Sequence, residues 1–249
     1  MSQHTAIVTG GARGIGRAIV DRLHATGAHV VTCGRGPRPV DLVDDVEWVR
    51  ADVSDPSRCA RLVERAEESF GPVSLLVNNA GIQIERAVPE TTDEDWDLLM
   101  GVNCRGTFNM CRAVLPQMIL SGGVIINIGS VSGAVADPSM ALYNASKAFV
   151  HGLTRSIAVD HGPQVRCNAI SPGWIMTEMA DDAFALAQDP EAARRDAVAR
   201  HPSGRLGRPA DVADAVVWLA SDEAGFLTGQ CITLDGGLTA ASPLRAGLF

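Results

Sequence analysis

Residues 5–16 read T-A-I-V-T-G-G-A-R-G-I-G. Thr5–Thr9 is an apolar run of strand length, a glycine-rich turn follows at once, and the apolar-periodic segment Ile15–Ala25 follows the turn. Strand, glycine turn and helix in that order open a β-α-β unit, whose parallel strands need a crossover. Glycines at 10, 14 and 16 permit a tight turn and let a phosphate approach bare backbone. The helix start adds free N–H groups and the positive end of its dipole. The spacing is G-x-x-x-G-x-G rather than the commoner G-x-G-x-x-G. With strand and helix both in place, a pyrophosphate site is expected at Gly10, Arg13, Gly14, Ile15 and Gly16; a plain strand-to-helix turn is the alternative.

The same rhythm continues along the chain. Strands are expected at Thr5–Thr9, His29–Cys33, Val46–Arg50, Val73–Asn78, Val124–Gly129, Val165–Ile170 and Gln230–Leu234. Most are continuous apolar runs, as strands buried on both faces are. Between them lie helix candidates at Ile15–Ala25, Ser57–Ser69, Asp93–Leu120, Ala141–Asp160 and Ala210–Ala220. The expected fold is α/β: a Rossmann-type, doubly wound, mainly parallel seven-stranded sheet with helices on both faces, one domain over 1–249. Two stretches depart from the rhythm. Gly34–Asp45 is short and holds two prolines, so a full crossover helix is doubtful there. Met176–Gly204 is long, charged and alanine-rich, which fits either a lid over a site or a solvated amphipathic helix pair.

Composition narrows the function classes. The 249 residues carry a formal net charge of −8 and 4% aromatics, which argues against nucleic acid or an anionic membrane as a main partner. No signal peptide or apolar stretch of transmembrane length is read, so a cytoplasmic location is expected. The six cysteines form no C-x-x-C and sit mostly in apolar runs, so they read as reduced core thiols. The histidines form no ligand pattern, and metal is not expected.

The second strand ends at Gly34 and Arg35, where an acidic residue would accept ribose hydroxyls and favour NAD(H). Arg35, with Arg38 close behind and Arg13 in the glycine turn, suits a 2′-phosphate instead, which favours NADP(H) and leaves NAD(H) open. Pairing of these arginines with Asp41, Asp44 or Asp45 is the alternative.

Ser130–Lys147 holds Tyr143, the one tyrosine of the chain, and Lys147 four residues later. On a helix the two share a face one turn apart. A phenol titrates near 10, so bringing it near 7 takes about 4 kcal/mol, which one positive charge at roughly 4 Å can supply at an effective dielectric near 20. The alternative is a half-buried tyrosine beside a snorkelling lysine.

Taken together, T-G-G-A-R-G-I-G at 9–16, Asp52-Val53, N-N-A-G at 78–81, Asn103, Ser130, Y-N-A-S-K at 143–147 and P-G-W-I-M-T at 172–177 resemble the short-chain dehydrogenase/reductase family over nearly the whole length. The resemblance implies a catalytic set of Asn103, Ser130, Tyr143 and Lys147. Tyr143 would be the acid/base, Lys147 would lower its pKa and bind the nicotinamide ribose, and Ser130 would hold the substrate oxygen. Asn103 would hold a water linking Lys147 to solvent. Asp52 and Val53 would flank the adenine, and Asn79, Ala80 and Gly81 would lie along the cofactor. Pro172 and Gly173 would also contact the cofactor, and Ile175 and Thr177 would meet its nicotinamide carboxamide. Ser132 is a rival to Ser130, two residues on. The substrate side is expected from Ser130, Ser132, Met140, Tyr143, Trp174 and Met179, with Val131, Val135, Leu142 and Phe184 as further wall. A hydrophobic or mixed secondary alcohol or ketone follows from that wall. A 3-oxoacyl-carrier-protein reductase is the first competitor, and a cofactor-binding regulator without turnover is a competitor of another class. The resemblance also implies a homotetramer or homodimer through the helices Asp93–Leu120 and Ala141–Asp160.

Overall fold

Seven apolar runs become strands: β1 Thr5–Thr9, β2 His29–Gly34, β3 Glu47–Arg50, β4 Val73–Asn78, β5 Gly123–Ile128, β6 Val165–Pro172 and β7 Cys231–Leu234. The computed structural model describes residues 4–241, so 1–3 and 242–249 of the expected unit lie outside the described residues. The strands form one sheet in the order β3-β2-β1-β4-β5-β6-β7, and every pairing is parallel. Strand order reverses between β1 and β4, and in open parallel sheets ligands bind at the carboxyl ends beside that point.

Eight helices are described: α1 Gly14–Ala25, α2 Pro56–Phe70, α3 Asp93–Met100, α4 Thr107–Ser121, α5 Ala141–His161, α6 Glu178–Ala185, α7 Pro190–Ala199 and α8 Pro209–Ala220. Two apolar cores cover the two sheet faces. One joins α2, α4 and α5 through Leu62, Met110, Val114 and Ile157, and the other joins α1 and α8 through Ile19, Leu23, Val212 and Val216. Each fully buried side chain of this kind contributes roughly 1.5–3 kcal/mol relative to exposure. Local chemistry sets the helix starts. Asp55 accepts from the N–H groups of Ser57 and Arg58 ahead of Pro56, and Thr92 forms a capping box with Asp95.

The single helix expected over Asp93–Leu120 is three pieces: α3, a π-helical turn at Gly101–Gly106, and α4. Gly106 packs on Val53 so closely that a Cβ would lie 2.5 Å from its Cγ2. The doubt about a helix in Gly34–Asp45 is resolved against one. Arg38 donates there to the carbonyls of Val46, Leu42 and Val43 at 2.7, 3.2 and 2.8 Å, bonds a helix would otherwise have supplied. Met176–Gly204 holds α6 and α7, packed on each other through Ala180, Phe184 and Ala197. Among the described residues no helix is long and apolar enough to cross a membrane.

Candidate active site

β1 delivers Gly10 in a left-handed conformation (φ +71°), and Gly14 follows at φ +57°. Gly16 lies so near the β1 end that a Cβ would stand 2.2 Å from the Gly10 carbonyl oxygen and 2.4 Å from Asn79 Nδ2. No side chain caps the N-terminus of α1. Helix start, bare backbone and turn are therefore presented together at the switch point. Asn79 and Ala80 donate their N–H groups to Thr9 Oγ1 at 3.0 Å, which fixes the N-N-A-G loop beside the turn. Thr177 comes within ordinary contact of Gly14.

At the end of β2, Gly34 faces the Trp48 ring, and a Cβ there would stand 2.7 Å from Cη2. An acidic side chain has no room without moving that indole. Arg35 is exposed, and among the described residues its guanidinium has no partner. Arg50 stands opposite Gly34 in the β2–β3 register and donates Nε to the Arg35 carbonyl at 2.8 Å. Two guanidinium groups thus flank this corner. The other arginines are committed: Arg13 to Glu178, Arg38 to the loop carbonyls, and Arg17 to Asp21 and Asp41.

The reaction-centre candidates meet on α5. Tyr143, Lys147 and His151 follow at four-residue spacing and form one inward stripe, with Tyr143 half-buried and the others buried. Lys147 Nζ lies 5.5 Å from the Tyr143 ring centroid and donates to the Ile128 carbonyl at 2.9 Å. Gly81 brings the N-N-A-G loop against both Lys147 and Asn103, since a Cβ there would stand 3.7 Å from Nζ and 3.4 Å from Oδ1. Asn103 Oδ1 accepts from the Ile82 N–H, and its Nδ2 donates to the Ile82 carbonyl and to Ser146 Oγ, at 2.9, 2.9 and 3.0 Å. Burial pushes the Tyr143 phenol above its usual value, the Asp137 charge adds to that, and a hydrogen bond with Ser130 opposes it. Burial lowers Lys147 to about 8. The expected lowering of the phenol by the lysine is thus not what these residues produce alone. The ammonium is turned to a carbonyl, and desolvation dominates. Cys104, beside Asn103, is pushed up to about 11 by burial, so it is no thiolate nucleophile.

A family model described as enoyl-(acyl carrier protein) reductase matches residues 10–239. The chain is 39% identical over 247 residues to the NADP-dependent (R)-specific alcohol dehydrogenase of Lentilactobacillus kefiri, covering 94% of this chain and 96% of that protein. It is 37% identical over 242 residues to a 3-oxoacyl-[acyl-carrier-protein] reductase of Thermotoga maritima, covering 93% of this chain and 96% of that one. The solved structure of a gluconate 5-dehydrogenase from Burkholderia cenocepacia, in complex with NADP and tartrate, matches with a TM-score of 0.90 at 32% identity, covering 97% of each chain.

The chain belongs to the short-chain dehydrogenase/reductase family.

As a short-chain dehydrogenase/reductase it is an NAD(P)-dependent oxidoreductase. The glycine cradle fits such a group, because any side chain at 16 would fill the space against Gly10. When bound, the nicotinamide supplies the hydride chemistry. Several expected site residues have side chains turned elsewhere. Val53 is buried against Gly106, and Ile175 is buried against Gly207. Asp52 is engaged locally, its Oδ1 accepting from Ser54 N–H and Oγ at 2.9 and 2.7 Å. Gly173 packs against Asp235, and Pro172 ends β6. Among expected substrate contacts, Ser130, Ser132 and Met140 are buried in the segment between β5 and α5. Trp174 stacks on Phe184 at 4.9 Å, and Phe184 is buried in the α6–α7 cluster. Met179 is exposed on α6.

His151 escaped notice in the sequence because an isolated histidine on a helix carries no signal. Its Nε2 lies 2.9 Å from Ser171 Oγ, and its ring is pressed on Gly129 and Gly133. It joins the Ser130 loop to the end of β6. Burial, then Arg155 and Lys147, lower its pKa, while a hydrogen bond with the Gly133 backbone opposes them. The consequence for stability is definite in sign. Above about pH 6.5 the ring is neutral folded or unfolded; below it the unfolded chain takes up a proton the folded one refuses. Stability therefore falls as pH drops from 6.5 toward the folded value, by at most about 1.4 kcal/mol per pH unit. Thermal melts from pH 7.5 to 5.5 should show a shallower fall for His151→Gln than for the parent; parallel curves would remove His151 as the cause.

Proposed function

We propose that the protein transfers hydride between NADP(H) and a secondary alcohol or ketone. The observation that carries this is the Ser130–Tyr143–Lys147 grouping, held against Asn103 and Gly81 next to the glycine cradle. In reduction the Tyr143 hydroxyl gives its proton to the substrate oxygen, and in oxidation the phenolate takes it. Ser130 holds the substrate oxygen and stabilises its developing charge. Lys147, with a pKa of about 8, is largely an ammonium at neutral pH and is available to ribose hydroxyls. The Asn103 amide is spent on Ile82 and Ser146, so a relay water would use its backbone carbonyl, which also accepts from Thr107 Oγ1. Asp52 and Val53 border the adenine, and Ile175 and Thr177 meet the carboxamide end.

NADP(H) is preferred because Gly34 has no carboxylate, Trp48 leaves no room for one, and Arg35 and Arg50 supply charge. A panel of ketones and alcohols assayed with both cofactors tests this. Arg35→Ala should raise KM for NADPH about tenfold, the scale of one charged hydrogen bond, and leave that for NADH nearly unchanged. An NADH preference in the parent protein would show that Arg35 and Arg50 serve another purpose.

A second reading is favoured by the relative from Thermotoga maritima: reduction of 3-oxoacyl groups on a carrier protein. Against it, the net charge is −8, which opposes the approach of an acidic carrier. Turnover on an acyl-carrier substrate against simple ketones separates the two. Met176–Gly204 serves as a lid, with α6 and α7 moving as the pair that Phe184 holds together. The exposed apolar residues Trp96, Leu98, Phe108 and Phe149 on α3, α4 and α5 support a homodimer or homotetramer through those helices.

A further inference from the structure

Ser132 Oγ donates to Asp137 Oδ2 at 2.7 Å and accepts from Ser130 Oγ at 3.1 Å. Two buried hydroxyls, those of Ser130 and Ser132, are thus linked to a half-buried carboxylate in the loop that leads into α5 and Tyr143. Asp137 is held in this position by its own loop. Asn144 Nδ2 donates to the Asp137 carbonyl at 3.1 Å, and Ser139, two residues on, sits at φ +56°. A non-glycine residue in that region is strained and persists only where its surroundings impose it. No cation answers the carboxylate among the described residues. Arg86, whose residue bridges to Met140 in the same loop, is paired with Asp95 at 2.9 Å, and Lys147 is turned to the Ile128 carbonyl. The second oxygen, Oδ1, has no hydrogen-bond partner among the described residues.

We propose that Asp137 selects the substrate by charge. The reaction centre takes neutral ketones and alcohols, favours those with a hydroxyl or other hydrogen-bond donor beside the reacting carbon, and turns away those with a carboxylate, sulfonate or phosphate there. The inference rests on the oxidoreductase reading above and names its substrate class. An anion entering this site loses its hydration and meets an uncompensated like charge at short range. A donor meets a free carboxylate oxygen and forms a charge-assisted bond. The same field discourages an acidic carrier protein from presenting its acyl chain here.

Two matched pairs test it at pH 7 with NADPH: ethyl 3-oxobutanoate against 3-oxobutanoate, and hydroxyacetone against pyruvate. In the parent protein and in Asp137→Glu, kcat/KM should favour the neutral member of each pair by at least about tenfold. In Asp137→Asn the ratio should fall to within about threefold. A shift of the tyrosine's acidity affects both members of a pair alike, so the ratio isolates the substrate's charge. Asp137→Ser also removes the charge and gives the same readout should the Asn variant fail to fold. Turnover with a ratio that removal of the carboxylate leaves in place overturns the charge selection alone. Absence of turnover of either member, and of every ketone in the panel, overturns the oxidoreductase reading and this inference with it.

Discussion

Tyr143→Phe is expected to lower kcat by about 10²–10⁴-fold, the range over which a positioned acid or base contributes. Only the phenolic oxygen is removed. The ring keeps its place 5.5 Å above Lys147, and the Lys147 bond to the Ile128 carbonyl does not involve it. Melting temperature and NADPH affinity should therefore stay close to those of the parent, so a loss of rate cannot be assigned to misfolding. Nicotinamide absorbance in single turnovers reads the chemical step directly. A variant keeping more than a tenth of the parent rate would remove Tyr143 from the reaction. Direction matters as well. Reduction uses the protonated phenol, which burial favours, so its rate should be flat through neutrality. Oxidation uses the phenolate, so its rate should climb with pH.

Gly16→Ala should have the second large effect. In an ordinary helix alanine is favoured over glycine by about 1 kcal/mol. Here the added carbon would stand 2.2 Å from a backbone carbonyl and 2.4 Å from the Asn79 amide, so something must move. Overpacking of this kind typically costs about 1–3 kcal/mol, and a chain of this size loses about 2–4 °C per kcal/mol. The first turn of α1 is what shifts, so NADPH affinity should fall by at least about tenfold, which is 1.4 kcal/mol. Calorimetry and fluorescence titration measure the two losses separately. An affinity equal to that of the parent would mean that this helix start does not hold the pyrophosphate.

The parts of this fold that were legible in advance are those specified locally. Continuous apolar runs gave strand positions to within about two residues, because burial on both faces demands them. Glycine spacing located the turn at the switch point, since only bare backbone can approach so closely. Tyr143 and Lys147 were legible from helical spacing and family motif together. What escaped notice depends on partners distant in sequence. Arg50 reaches the Arg35 corner only through strand register, and Trp48 blocks Gly34 only because β3 lies beside β2. The stacking of Trp174 on Phe184 was not legible either, because periodicity says a side chain is buried but not against what. The upward push that burial gives the Tyr143 phenol in the protein alone was not legible for a related reason. Charge proximity is readable from spacing, whereas desolvation is set by everything packed around the ring.

The π-helical turn at Gly101–Gly106 has a consequence for how this chain tolerates change in length. Upstream, α3 leans on α5; downstream, α4 leans on β4 and α2. A π turn holds one residue more than the α-helical turn it replaces, and one residue is worth about 100° of rotation about the axis. Asn103 thus faces Ile82 and Ser146 while Met110, Val114 and Met118 face the sheet, a phase relation that depends on the surplus residue. A one-residue deletion here would make a more regular helix and put one of the two faces out of phase. The irregularity works as a vernier between the active site and the core.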